Sequence, residues 1–326
     1  MRSRLIHEPR ARPAHWIAAA ALAAWLTASC SPLKTFDGLV PKDPGVAKPG
    51  RGLAFGEGPR RTLDVYVPKA VSARAGGRPI MVFFYGGSWN SGTRRGYAFV
   101  GRALAAQGFV TVIPDYRLVP EVRYPGFVED GAAAVRWARS NAGRFGGDPD
   151  AIVLAGHSAG AYIAAMLALD ARWLGSERSA VKGLIGLAGP YDFAPFDVAA
   201  SRAAFGAWPR PEETQPVHWA GAGDPPALLL VGDKDNLVRP ANSEALAARL
   251  RASGVPATLR RFGGLGHIGL LTAIARPLRS RGAVLPEMAA FVRDVTASAE
   301  TGPAKSGPAS RARGRPIAIG PNGPGQ

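Results

Sequence analysis

The chain has 326 residues, 47% of them hydrophobic and 20% charged, which is enough apolar material to bury a core without disulfides or a structural metal. Its net charge of +16 suggests a nucleic-acid partner until the charges are located. Four arginines and one glutamate fall within residues 1–29, and four basic residues with no acid follow Glu300; the remaining +9 is scattered, so no nucleic acid is expected as a partner.

Arginines precede residue 13, an apolar stretch runs from Trp16 to Ala28, and Ser29-Cys30 follows. That order reads as a signal peptide over residues 1–29, too short to span a bilayer. Cys30 is the only cysteine and has no internal disulfide partner. Leu26-Thr27-Ala28-Ser29-Cys30 resembles a lipobox, in which Cys30 becomes the lipid anchor of an exported protein on a bacterial membrane. Thr27 stands where such motifs usually carry leucine. An ordinary cleaved signal peptide with an incidental cysteine is the alternative.

Residues 30–52 are rich in proline, glycine and lysine without a period, and are expected to form a flexible tether before a domain spanning residues 53–298. Residues 299–326 form a basic tail with six glycines and five prolines after Glu300, a composition that predicts disorder.

Within the domain, the apolar runs Leu63–Val67, Ile80–Phe84, Phe109–Ile113, Ile152–Ala155, Leu184–Leu187, Ala227–Val231 and Thr258–Phe262 predict strands. Most are continuous rather than alternating, as strands buried on both faces are. The stretches between them, Tyr97–Gln107, Val128–Ala142, Ala161–Leu169, Ser243–Arg251 and Pro286–Ala297, carry helical periodicity. The alternation predicts an α/β fold with a mostly parallel, doubly wound sheet and helices on both faces. Phe193–Pro226 fits neither period and is expected to be a short lid-like insert, a pocket wall or a surface loop.

Gly156-His157-Ser158-Ala159-Gly160 follows a predicted strand and opens a predicted helix, the setting in which G-x-S-x-G marks a nucleophilic serine. The turn that exposes the serine is strained, and both flanking glycines let strand and helix close together. The free amides at the helix start, Ala159 first, point where an oxyanion would form. Tyr85-Gly86-Gly87-Ser88-Trp89 ends an earlier strand, and the amides of Gly86 or Gly87 are candidates for the other half of the oxyanion hole.

These motifs resemble the α/β-hydrolases, and among them the esterases that carry H-G-G-x-W upstream of G-x-S-A-G. Leu63-Asp64-Val65-Tyr66-Val67-Pro68, Asp115-Tyr116-Arg117, Asp130 with Trp137, and Gly146-Gly147-Asp148-Pro149 stand in the expected order. The likeness extends over residues 53–298 and takes in kynurenine formamidases, isoprenylcysteine methylesterases and feruloyl-esterase-like enzymes. It implies the α/β-hydrolase fold and an ester-hydrolysing serine enzyme that needs no cofactor. The departure is Tyr85, where that group usually has histidine.

The order nucleophile, acid, histidine selects the other members of the site. His7 and His15 fall in the leader, His157 adjoins the serine with its side chain expected to point away, and His218 precedes the good acid candidates. His267, in a loop after the last strand, is the expected base. Gly232-Asp233-Lys234-Asp235-Asn236-Leu237-Val238 follows another late strand; Asp233 suits trimming the turn, and the family pattern G-x-x-D-x-x-V selects Asp235, with Asp192 a weaker alternative. Gly264-Leu265-Gly266-His267-Ile268-Gly269 matches G-x-G-x-x-G but opens no βαβ unit, so no dinucleotide site is expected; no metal site is expected either. The sequence therefore predicts a serine carboxylesterase for small to medium acyl esters. An amide or formamide hydrolase, or a surface lipoprotein that uses the fold only to bind, are the alternatives.

Overall fold

A computed structural model describes residues 32–70 and 76–297. The signal peptide, Cys30 and the tail at 299–326 lie outside the described residues. Eight strands form one sheet: β1 (Val46–Ala54), β2 (Thr62–Pro68), β3 (Arg78–Phe84), β4 (Val110–Pro114), β5 (Gly147–His157), β6 (Val181–Leu187), β7 (Ala227–Gly232) and β8 (Ala257–Phe262). Their order across the sheet is β1-β2-β4-β3-β5-β6-β7-β8. The pairs β1–β2 and β2–β4 are antiparallel, and β3 through β8 are mutually parallel. This is the α/β-hydrolase arrangement expected from the sequence.

The central strands are apolar on both sides because both sides are covered. Helices α3 (Gly126–Asn141), α4 (Ala159–Leu169) and α6 (Ala241–Ala252) lie on one face, while α2 (Ala98–Ala106) and α7 (Val284–Ala297) lie on the other. Helix α4 packs on the sheet beside α3 and beneath the insert, and all eleven of its residues are buried. Its all-apolar sequence is what that position requires. At the rim, β8 carries Arg260 and Arg261 on exposed positions, as an edge strand can.

The expected tether is corrected. Pro32–Leu39 forms helix α1, and β1 pairs with β2 along the sheet edge, so the ordered domain begins near Pro32 rather than Leu53. Asp37 Oδ1 accepts the Phe99 N–H at 2.6 Å, at the start of α2, and Phe36 meets the Phe99 ring edge-on at 5.3 Å. Asp43 pairs with Arg279 at 2.7 Å, tying this segment to the far end of the chain. Strand β1 escapes a reading by periodicity because Pro49 and Gly50 interrupt it and its register shifts twice.

Behind the sheet edge lies a buried ionic cluster. Asp64 of β2 receives Lys48 Nζ at 2.6 Å, the Gly52 N–H at 2.9 Å and Arg94 Nε at 3.1 Å. Arg94 also pairs with Asp115, which accepts the Arg94 N–H at 2.7 Å. Burial alone would raise the Asp64 pKa, but the Lys48 and Gly52 hydrogen bonds and the two cations outweigh it and leave Asp64 below the ordinary carboxylate range.

The insert is neither a bare loop nor a separate lid. It holds helix α5 (Ala199–Phe205) and a single turn at Pro216–Trp219, and it is fastened by aromatic rings. Phe205 packs against Trp89, Phe127, Tyr162 and Phe193 at centroid distances of 4.8–5.5 Å. Such edge-to-face contacts add to the burial of the rings themselves.

Candidate active site

The candidate residues among those described gather at the carboxyl ends of the parallel strands, where open α/β sheets bind ligands. Ser158 caps β5 with φ 55° and ψ −125°, a conformation that costs a non-glycine residue roughly 1–3 kcal/mol. The surroundings enforce it. A Cβ on Gly156 would come within 2.3 Å of Gly160 O, and one on Gly160 within 2.1 Å of Phe84 O. Only glycine at both positions lets β5, β3 and α4 meet, and the serine between them is pushed to the surface of the turn. Its N–H donates to Leu187 O at 2.8 Å, the residue is buried but 8% exposed, and it lines a cavity of about 540 Å³.

Asp235 and His267 are in direct contact, Nδ1 to Oδ2 at 2.8 Å. Asp235 Oδ1 accepts the N–H groups of Leu237 and Val238, each at 2.9 Å. Burial pushes the Asp235 pKa up, but the His267 hydrogen bond and the two backbone donors more than offset it, so the carboxyl lies below its ordinary range. It is therefore ionised at neutral pH and able to hold His267 in the tautomer with the proton on Nδ1. Asp233 serves the loop instead. Its Oδ1 accepts the Gly264 N–H at 2.8 Å and fixes the segment that carries His267. A Cβ on Gly232 would meet Leu265 O at 2.1 Å, so the end of β7 and the loop after β8 touch through backbone alone.

The alternatives fall elsewhere. His218 is exposed and meets Trp219 edge-on at 5.1 Å. Asp192 is exposed on the cavity wall, its N–H bonded to Asn242. Among the described residues no cluster of three or more His, Cys, Asp or Glu could hold a metal. Ser158 Oγ has no hydrogen-bond partner among the described residues. A resting hydroxyl rotates freely, and catalytic hydrogen bonds often tighten only on substrate binding.

The oxyanion candidates divide. Gly86 packs against the serine turn, where a Cβ would lie 2.9 Å from both Ser158 Cβ and His157 Nδ1. Its N–H, however, donates to Tyr97 Oη at 3.1 Å and is not available to a substrate oxygen. Gly86 is thus a spacer rather than a donor. The N–H groups of Gly87 and Ala159 have no protein acceptor among the described residues, and neither does that of Ser88, which lines the cavity and carries no signal of this role in the sequence. Ser88 and Trp89 both hold positive φ, 51° and 59°, the mark of a loop forced to turn its amides in one direction.

Tyr85, the departure from the family pattern, is buried and faces away from the cavity. It stacks on Tyr116 at 4.6 Å, and its hydroxyl accepts Arg60 Nη2 at 2.9 Å. The same Arg60 nitrogen donates to Gly92 O at 2.8 Å, and Tyr116 Oη donates to Tyr85 O at 2.8 Å. Tyr85 therefore braces both ends of the Gly86–Gly92 loop from behind.

His157 also points away from the cavity, as expected, but it is not idle. Its Nε2 lies 3.2 Å from His267 O, its Nδ1 3.5 Å from Tyr97 Oη, and its ring centroid 4.7 Å from that of His267. Burial first, then the neighbouring His267, pull its pKa down to about 3.

The chain is 32% identical over 226 residues to Esterase LipC of Mycobacterium tuberculosis, an alignment covering 62% of this chain and 55% of that one. It is 30% identical over 253 residues to isoprenylcysteine alpha-carbonyl methylesterase of Arabidopsis thaliana, covering 70% and 58%. The chain thus spans about half the length of the curated relatives it matches. Among solved structures, Thermogutta terrifontis esterase 2 phosphorylated by paraoxon superposes with a TM-score of 0.63 at 25% identity, covering 78% of this chain and 96% of that one. Residues 63–250, which hold the serine turn, the Tyr85–Trp89 loop and Asp235, match the BD-FAE family model, and the chain belongs to that family of α/β-hydrolases.

Proposed function

We propose that this protein is a serine carboxylesterase acting on small to medium acyl esters. Ser158 Oγ attacks the ester carbonyl while His267 Nε2 takes its proton. Asp235 holds His267 Nδ1–H and stabilises the imidazolium. The amides of Gly87 and Ala159 stabilise the oxyanion, each such donor contributing on the order of 10²–10³ in turnover. His267 then protonates the leaving alcohol, and water enters to release the acyl-enzyme.

The observation that carries this reading is the 2.8 Å Asp235–His267 bond at the same sheet edge as a serine held at positive φ. A purely binding module has no need of either. The cavity's size and the short insert favour modest acyl groups, in keeping with the butyrate bound in a structural neighbour, Thermogutta terrifontis Est2. Hydrolysis of p-nitrophenyl esters from acetate to palmitate, beside Ser158→Ala, tests the proposal. Wild type is expected to turn over and the variant to lose on the order of 10⁴-fold or more. If folded wild type neither acts nor takes a fluorophosphonate label at Ser158, the esterase reading fails and a binding role replaces it.

Export and anchoring through Cys30 are proposed with it, on the sequence before Pro32. A single residue, Ser31, separates Cys30 from α1, so an acylated Cys30 would hold the domain close against a bilayer. Metabolic labelling with a fatty acid checks this: label on wild type and none on Cys30→Ala is expected, and equal label on both refutes it.

A further inference from the structure

Three loops must keep register for the proposed reaction: the oxyanion loop after β3, the serine turn after β5 and the base loop after β8. The hydrogen bonds behind the cavity follow one direction. A carbonyl only accepts, so the 3.2 Å contact at His267 O places a proton on His157 Nε2. The ring is buried and does not carry a second proton, so Nδ1 is an acceptor. Facing it at 3.5 Å is the Tyr97 hydroxyl, which accepts the Gly86 N–H at 3.1 Å and so has its own proton to give. Burial raises the Tyr97 pKa, which keeps that proton in place. The series is Gly86 N–H to Tyr97 O–H to His157, and His157 N–H to His267 C=O, with each polar group used once and in a compatible sense.

We infer that His157 is a positioning residue of this site: its imidazole ties the base loop at His267 and, through Tyr97, the oxyanion loop at Gly86 to the turn that carries Ser158. Asp235 fixes the His267 ring; His157 fixes the backbone beneath it. Without that tie the three loops rest on separate supports, Asp233 for one and Arg60 with Tyr85 for another. Misplacement of reacting groups by about 1 Å can cost on the order of 10²-fold in turnover. The inference rests on the esterase reading.

The test uses the full chain, an ester that wild type hydrolyses, and the variants His157→Gln, His157→Leu and Tyr97→Phe, each with its thermal midpoint measured. Glutamine keeps an N–H within reach of His267 O; leucine does not. Leu is expected to lower kcat by roughly 30- to 100-fold with KM within about twofold. Gln is expected to recover most of that loss. Tyr97→Phe, which frees only the Gly86 side, should lower kcat by about tenfold. If His157→Leu does not fold, Gln and Tyr97→Phe still decide the matter, because a kcat loss in Tyr97→Phe larger than in Gln is expected. Combining Tyr97→Phe with His157→Leu should cost no more than Leu alone, because both cut one series. Unchanged kcat in a folded variant, a Gln variant as poor as Leu, or additive losses would overturn the inference. A wild type without activity would instead strike at the esterase reading.

Discussion

The two banks of the cavity are built on different principles. On one, Tyr85 is fully buried, Trp89 is 5% exposed, and the backbone at Tyr85, Gly86 and Gly92 is held from behind by Tyr116, Tyr97 and Arg60. On the other, Leu237 is 70% exposed, Val198 58%, and Asp192 and Asp197 reach solvent. The first bank has little freedom in residue type, since glycine, a hydroxyl or an aromatic ring is required by what lies a few ångströms behind it. The second touches little but the cavity. On the proposed reading, reaction chemistry belongs to the braced bank and substrate choice to the open one. Asp235 marks the boundary, since the loop passes from a buried carboxylate to an exposed leucine within two residues.

Asp235→Asn tests that boundary most sharply. Asparagine's oxygen can still accept the Leu237 and Val238 N–H groups, so the loop keeps its shape, but its amide presents a donor to His267 Nδ1 and favours the wrong tautomer. A fall of about 10⁴-fold in kcat is expected, with the thermal midpoint nearly unchanged. A comparable loss of stability would mean that the carboxylate is structural first and catalytic second.

The braced bank also predicts a pH effect. Asp64 supports Arg94, and Arg94 holds Asp115 just before Tyr116, which braces Tyr85. Because the folded pKa of Asp64 lies below its unfolded value near 3.8, its contribution is present above that value and is lost as pH falls through the folded pKa. Asp64→Asn leaves Arg94 and Lys48 short of a partner and is expected to cost about 3–5 kcal/mol at pH 7. It should also flatten the fall in stability below pH 4. Chemical denaturation at pH 7 and pH 3 measures both; a variant that loses as much at pH 3 as at pH 7 contradicts this account.

The same contrast explains what is legible in the sequence. Strands buried on both faces announce themselves as apolar runs, so β3 through β7 can be read directly, and the serine turn can be read because its strain demands glycine at 156 and 160. Strand β1 cannot, since an edge interrupted by Pro49-Gly50 has the composition of a linker. The division of labour between Asp233 and Asp235 follows a family pattern that position in the sequence alone would leave open. Gly86 reads as a donor because nothing local shows that Tyr97, eleven residues on, takes its N–H. The tie from His157 to His267 spans 110 residues and becomes visible only when β5 and β8 are placed in one sheet.

The smallest effect belongs to the open bank and is the most informative about substrate. Leu237 is exposed, so Leu237→Ser should change stability by no more than about 0.5 kcal/mol. Both Leu237 and Val198 line the cavity. An acyl chain long enough to reach them would bury part of both, at roughly 25 cal/mol per Å². The expected result is a fall of about 5- to 10-fold in kcat/KM for hexanoate or octanoate esters and little change for acetate. Equal losses on all chain lengths would place Leu237 with the braced bank after all, acting through the Asp235 loop. A loss confined to bulky alcohol groups would assign this side of the cavity to the leaving group, with the acyl chain lying along Trp89 and Phe193.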